Sequence, residues 1–259
     1  MDALSDDLAA ESADLDRVLT PEALGTPTPA PGWSVGDQIS HLWFFDQRAM
    51  MALTDPDGFA DDARQIQASL TGARADPSVE QGRAIAPEEL LARWREERAH
   101  LVEHARTLDP KVRVPWYGPA MSARSFITAR LMETWAHGQD IVDAVGAERP
   151  PTDRLRHIAH IGVRARPFSY AVRGLDAPTR PVAVVLTGPA GERWAWDEDA
   201  DESITGPALD FCLVVTQRRH HADTDLEARG DLAEEWLRVA QAFAGPAGPG
   251  REAGQFRGR

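Results

Sequence analysis

The chain has 259 residues, 42% apolar and 27% charged, with a formal net charge of −13. This apolar share supports a packed core rather than disorder, no apolar run approaches the ~18 residues of a membrane span, and the single cysteine, Cys212, excludes an internal disulfide framework or a multi-cysteine zinc site. The acidic balance leaves no broad basic footprint for nucleic acid, and the acidic run from Met1 to Asp7 lacks the basic and apolar regions of a signal peptide, so a cytoplasmic protein without nucleic-acid or membrane partners is expected.

In chain order, residues 2–19 are predicted as an amphipathic helix ending at Thr20-Pro21. The prolines of residues 26–32 remove donors and restrict their predecessors, which excludes helix there. Ser34 suits an N-cap, Asp37 stands where a capping-box acid belongs, and a helix to about Leu53 follows. Asp55-Pro56-Asp57-Gly58 reads as a turn. Pro87 opens a third long helix, in which Leu90, Leu91, Trp94, Leu101, Val102, Ala105 and Leu108 recur at helical spacing. Residues 115–119 read as a loop, and Ser122 caps a fourth helix that Gly146 ends. Four long helices predict a four-helix bundle over residues 1–150.

After Pro150-Pro151 the pattern changes. A helix over 152–166, strands over 181–188 and 192–198 joined at Gly188–Gly191, a helix over 207–219, a strand over 223–229 and a helix over 231–243 predict an α+β domain spanning 151–244. Residues 245–259, with five glycines and two prolines, are predicted as a mobile tail. The whole is thus an α+β protein with a helical N-terminal half.

Glu133 and His137 lie four residues apart on the predicted fourth helix, so they share one face about 6 Å apart. That helix is apolar nearly all round, and a carboxylate buried there is costly unless it is paired or bound to metal. His41, at the edge of the second helix's apolar arc, is the best third ligand. His41, Glu133 and His137 would make a two-histidine, one-glutamate set, and three protein ligands with an open position suit a catalytic zinc site. Asp37 or Asp140, each one turn from a ligand, would support it. By itself an E-x-x-x-H pair also serves as an ordinary i,i+4 pair. His100, His104, His157 and His160 read as polar helix faces, His220-His221 as an element end, and Cys212 as a buried structural thiol.

The run from Thr26 to Leu42 resembles the approach to the second helix of DinB-like metal-binding bundles, and more narrowly the N-terminal domain of the mycothiol-dependent maleylpyruvate isomerase family. Met132 to Ile141 resembles that family's fourth helix. The resemblance implies metal ligation by His41, Glu133 and His137. The C-terminal half is similar to the family's second, sterol-carrier-like domain, and Gly206 to Arg218 resembles its glycine-to-arginine helix. There it implies an active-site role for Arg218, although Gln217 replaces the family's preceding glycine and Arg219 lies adjacent.

The function so implied is that of a divalent-metal enzyme, zinc being expected, that uses mycothiol as thiol cosubstrate to isomerise a small electrophile or transfer sulfur to it. The thiol is expected between the two domains. The rival expectations are a non-haem iron oxygenase on the same three ligands and a non-enzymatic metal or thiol-conjugate binding protein.

Overall fold

The computed structural model describes residues 1–70 and 76–256, with the backbone alone over 67–70. The chain divides into two compact units, Met1–Arg149 and Pro150–Arg259. Among the described residues no helix is long and apolar enough to cross a membrane.

The N-terminal unit is built on four long helices: α1 (Asp2–Asp16), α2 (Val35–Thr54), α5 (Pro87–Thr107) and α6 (Ala123–Val145). Two further helices, α3 (Pro56–Leu70) and α4 (Pro77–Arg83), lie between α2 and α5. A two-residue ladder, β1 (Arg113–Val114) with β2 (Met121–Ser122), leads into α6. The predicted caps are present. Ser34 Oγ accepts from the Asp37 N–H at 3.2 Å while Asp37 Oδ2 accepts from the Ser34 N–H at 2.9 Å, a closed capping box. Ser122 Oγ accepts from the Ser125 N–H, and Gly146 ends α6 at φ 66°, the left-handed geometry that glycine adopts freely.

α1 and α2 each pack against both α5 and α6. Ile39, Leu42, Trp43, Leu91, Trp94 and Ile141 form the centre of the core, each contributing about 1.5–3 kcal/mol by leaving water. A charged cluster sits within this interior. Asp46 of α2, fully buried, lies 2.7 Å from Arg98 of α5 and 2.8 Å from Arg130 of α6, both 4% exposed. Burial pulls Arg98 down to about 10, against the attraction of Asp46, which leaves it charged at neutral pH.

The sequence pattern did not reveal α3 and α4. Asp55-Pro56-Asp57-Gly58 is a helix start rather than an isolated turn. Asp55 Oδ1 accepts from the Gly58 N–H at 3.1 Å and Pro56 occupies the first helical position, so the same residue chemistry serves both outcomes.

In the C-terminal unit, α7 (Leu155–Arg164) and α8 (Arg166–Ala171) precede β3 (Ala183–Thr187), β4 (Arg193–Trp196) and β5 (Ser203–Pro207). After them come α9 (Ala208–Val215), β6 (Glu227–Arg229) and α10 (Asp231–Val239). The sheet order is β4-β3-β5-β6, with β3 and β5 parallel and the outer pairs antiparallel. Val184, Leu186, Trp194 and Ile204 are buried, and α9, which packs on α7, covers β3 and β5.

Several elements depart from expectation. The helix α8 lies beyond the single one expected over 152–166, α10 ends at Val239 rather than 243, β5 lies in a stretch given no element, and α9 stops at Val215 rather than 219. The stop is a Schellman closure: the Arg218 N–H donates to the Leu213 carbonyl at 2.7 Å and the Gln217 N–H to that of Val214 at 2.9 Å, with Gln217 at φ 59°. The glycine-rich tail, expected to be mobile, makes contacts in its described part. The Gly254 N–H donates to Asp223 Oδ1 at 2.7 Å, and Phe256, buried, lies under the Arg219 guanidinium at 3.9 Å. Its last three residues lie outside the described residues.

Candidate functional site

The facing surfaces of α2 and α6 bring His41 and His137 together, with ring centroids 4.5 Å apart and planes inclined by 40°. Glu133, one turn before His137, presents Oε2 at 3.4 Å from His137 Nε2. The three side chains singled out in the sequence are therefore neighbours. Trp33, just ahead of the α2 cap, covers them: its ring stacks on His137 at 6.0 Å and lies 5.1 Å from His41. Phe45, one turn beyond His41, closes the other flank at 4.6 Å. His137 is 8% exposed, and His41 and Glu133 are half-buried.

Hydrogen bonds define which nitrogen of each ring carries hydrogen. Thr28 Oγ1 donates to the Trp33 carbonyl at 2.9 Å and so accepts from Gln38 Nε2 at 3.1 Å. That contact orients the Gln38 amide with Oε1 toward His137 Nδ1, which is bonded to it. An amide oxygen only accepts, so His137 Nδ1 carries hydrogen, and in the neutral ring Nε2 bears the lone pair. At His41, Nδ1 lies 2.9 Å from Ser78 Oγ, whose single hydrogen goes to Asp76 Oδ1 at 2.7 Å. His41 Nδ1 is therefore a donor too, and in the neutral ring Nε2 is the electron-pair donor.

Of the two acids expected to support the site, Asp140 lies 3.5 Å from Gln38 Nε2. Asp37 serves α2 instead. Burial raises its carboxyl, but hydrogen bonds from Arg83 and Ser34 outweigh this and hold it below the ordinary value. Gln38, Ser78 and Asp76 were missed. Gln38 precedes His41 by three residues on the same helical face and was in principle visible; Ser78 and Asp76 belong to the unrecognised α4.

As placed, no group of three His, Cys, Asp or Glu side chains among the described residues is arranged to hold a metal ion. The donor types nonetheless suit one: two imidazoles held through Nδ1–H by acceptors, each with Nε2 as an electron-pair donor, beside a carboxylate.

The other candidate residues belong to the C-terminal unit. The half-buried Arg218 directs Nη1 to the Thr216 carbonyl at 2.6 Å, with its guanidinium 6.0 Å from the Phe243 ring. Cys212 is fully buried, its Sγ 3.4 Å from the Leu155 carbonyl, and burial pushes its thiol well above the ordinary range. His160 accepts from Trp196 Nε1 at 3.3 Å; burial, then Arg164 and His157, lower its pKa. The rings of His220 and His221 lie 4.4 Å apart, inclined by 32°.

A helical domain with a partly buried two-histidine, one-carboxylate cluster, followed by a mixed-sheet α+β domain, defines the class of protein. The model of the mycothiol maleylpyruvate isomerase N-terminal domain matches residues 5–142. Two uncharacterized proteins of Mycobacterium tuberculosis, Rv0036c of strain ATCC 25618 / H37Rv and MT0041 of strain CDC 1551 / Oshkosh, are each 47% identical over 95% of this chain and 96% of their own. The chain belongs to the mycothiol maleylpyruvate isomerase N-terminal domain family. The crystal structure of the mycothiol-dependent maleylpyruvate isomerase shares the fold over 84% of this chain and 88% of that one, with a TM-score of 0.51 and 17% identity.

Proposed function

We propose that this protein is a divalent-metal enzyme that uses a low-molecular-weight thiol, mycothiol, on a small electrophile, with His41, Glu133 and His137 as the ligands of a zinc ion and the cytoplasm as its setting. The observation that carries the reading is the contact between His137 Nε2 and Glu133 Oε2 at 3.4 Å. With Nδ1–H donated to Gln38, the neutral ring turns an electron pair toward the carboxylate, and a cation between the two atoms satisfies both. Two ligand atoms each ~2.1 Å from a tetrahedral ion are themselves ~3.4 Å apart. Family membership supports the same reading, as does the name of the structural relative, a mycothiol-dependent isomerase. The reading takes the N-terminal unit as a DinB-like four-helix bundle and the C-terminal unit as sterol-carrier-like.

Bound there, the ion would supply Lewis-acid stabilisation of a thiolate. Glu133 contributes the anionic ligand, which offsets part of the ion's charge. Gln38 and Ser78 keep both rings in the ligating tautomer. Trp33, lying over the rings, excludes water from one side. Arg218 would orient a carboxylate of the substrate or the thiol. The sulfur adds to an electrophilic carbon of a conjugated double bond. Expulsion after bond rotation restores the double bond as its isomer; retention, with protonation of the adjacent carbon, leaves a thioether.

The test is metal analysis of the purified chain together with metal-dependent consumption of mycothiol in the presence of an activated electrophile. Stoichiometric zinc with turnover supports the reading. Iron with oxygen-dependent turnover favours the oxygenase, metal without turnover a binding protein, and a chain that takes up no metal overturns the ligand assignment.

A further inference from the structure

The contacts of α4 with α2 converge on the residues around His41. Ser40 Oγ donates to the Ser78 carbonyl and accepts from the Gly82 N–H at 2.9 Å. A Cβ at Gly82 would lie 2.4 Å from both Cβ and Oγ of Ser40, so the helices approach to a distance that a larger residue forbids. Arg83 fastens the far end of α4 with hydrogen bonds of 2.9 and 3.0 Å to the two oxygens of Asp37. At the near end Asp76 caps α4, and its Oδ1 accepts from both the N–H and the hydroxyl of Ser78 at 2.9 and 2.7 Å. That hydroxyl, 1% exposed as a residue, is the partner of His41 Nδ1.

We propose that α4 is the positioning element of the site: Ser78, its hydroxyl committed to Asp76, fixes His41 as the Nδ1–H tautomer with Nε2 as its electron-pair donor, and the Gly82–Ser40 approach fixes where Ser78 stands. A serine hydroxyl with a free hydrogen could serve either tautomer of a histidine. One whose hydrogen is held by a carboxylate can only accept, and this converts a permissive contact into a selective one. An outer hydrogen bond of this type sets ring orientation and raises ligand basicity in metal sites. The metal half of the inference rests on the ligand reading above; the tautomer half does not.

Two measurements on the 259-residue chain separate these halves. The first is nitrogen-15 NMR of the histidine rings in metal-free protein, about two pH units above the ordinary histidine pKa so that the rings are neutral. The wild type is expected to show His41 with hydrogen on Nδ1, Ser78→Ala to lose that preference, and Ser78→Thr, which keeps the hydroxyl, to retain it. The second is zinc affinity by competition with a chromophoric chelator, where Ser78→Ala is expected to weaken binding ~10–100-fold and Ser78→Thr to stay near wild type. Gly82→Ala should shift both readouts in the same direction as Ser78→Ala, with helix content unchanged by circular dichroism. A wild-type tautomer in Ser78→Ala, or His41 carrying hydrogen on Nε2 in the wild type, would overturn the proposal. If the wild type takes up no zinc, the ligand reading fails and the tautomer decides for or against Ser78 alone.

Discussion

Gln38 and His137, 99 residues apart in sequence, are joined by a hydrogen bond from the imidazole Nδ1–H to the amide oxygen. The bond ties the first turns of α2 to the middle of α6 and selects the nitrogen His137 turns toward Glu133. Replacing the amide by a hydrocarbon of similar size, Gln38→Leu, leaves the Nδ1–H unpaired at a cost of about 1–3 kcal/mol and frees the ring to turn. Zinc affinity is expected to fall ~10–100-fold. Titration against a chelator reads the second effect and denaturant unfolding the first; an unchanged zinc affinity would remove Gln38 from the site.

Glu133→Ala deletes the proposed anionic ligand together with a half-buried charge, so the apo protein should lose little stability. The difference emerges with metal. Zinc at about one hundred times its dissociation constant stabilises a protein that binds it only when folded by about 2.7 kcal/mol. Wild type should therefore melt higher with added zinc, Glu133→Gln less so, and Glu133→Ala not at all. An equal rise in wild type and Glu133→Ala would place the ion elsewhere.

The parts of the fold legible in sequence are those governed by local rules. Ser34 and Ser122 mark helix starts because their hydroxyls satisfy specific orphan N–H groups, and Gly146 marks a stop because only one backbone geometry closes α6. Glu133 and His137 share a face by helical spacing, and the family resemblance singled out the same His41. What stayed hidden depends on tertiary contact. α4 is short and offers no apolar period, and its place is set by Ser40, Gly82 and Arg83 reaching α2. The end of α9 was misplaced because Gln217 stands in a left-handed position where glycine would have signalled the stop. Its Nε2 donates to the Ala240 carbonyl at 3.1 Å, which offsets part of the strain.

Asp46 holds two buried guanidinium groups, and its loss should be among the most damaging single changes in the N-terminal unit. Asp46→Ala leaves Arg98 and Arg130 facing each other without a counter-charge, a defect that costs about 3–5 kcal/mol when one member of a buried ionic cluster is removed. Denaturant unfolding is expected to show this loss. The companion change Arg98→Met, which leaves the Asp46–Arg130 pair intact, should cost less. An effect of Asp46→Ala below about 1 kcal/mol would show that water already screens the cluster.

Cys212 should be inert in the native protein. It is fully exposed to alkylation only after unfolding, because burial both hides the thiol and disfavours its thiolate. Its pKa is raised in the folded state. The stability this lends is therefore complete below the ordinary value of 9.0 and is lost as pH rises above it, since the unfolded chain ionises first. The stability gap between wild type and Cys212→Ala should narrow above that pH, and native-state labelling should track global unfolding. Rapid labelling of folded protein would reverse this reading, as would loss of thiol turnover in Cys212→Ala.

Arg218 and Arg219 are neighbours with separable expectations. The Schellman closure turns Arg218 out of the helix immediately after the left-handed Gln217, with Nη1 on its own helix-end carbonyl and the guanidinium near Phe243. The planar guanidinium fork is the feature that suits a carboxylate-binding role. Arg219 stacks closely on Phe256 of the tail, where a cation over an aromatic face contributes about 0.5–2 kcal/mol. Arg218→Ala should therefore keep full metal occupancy and lower metal-dependent consumption of mycothiol, with Arg218→Lys only partly restoring it because a point charge replaces a planar fork. Arg219→Ala should leave turnover in place and release the tail, seen as faster proteolysis beyond Phe243. If neither substitution changes turnover, the arginines have no part in the chemistry. If the turnover loss falls on Arg219 instead, the carboxylate-binding role passes to it.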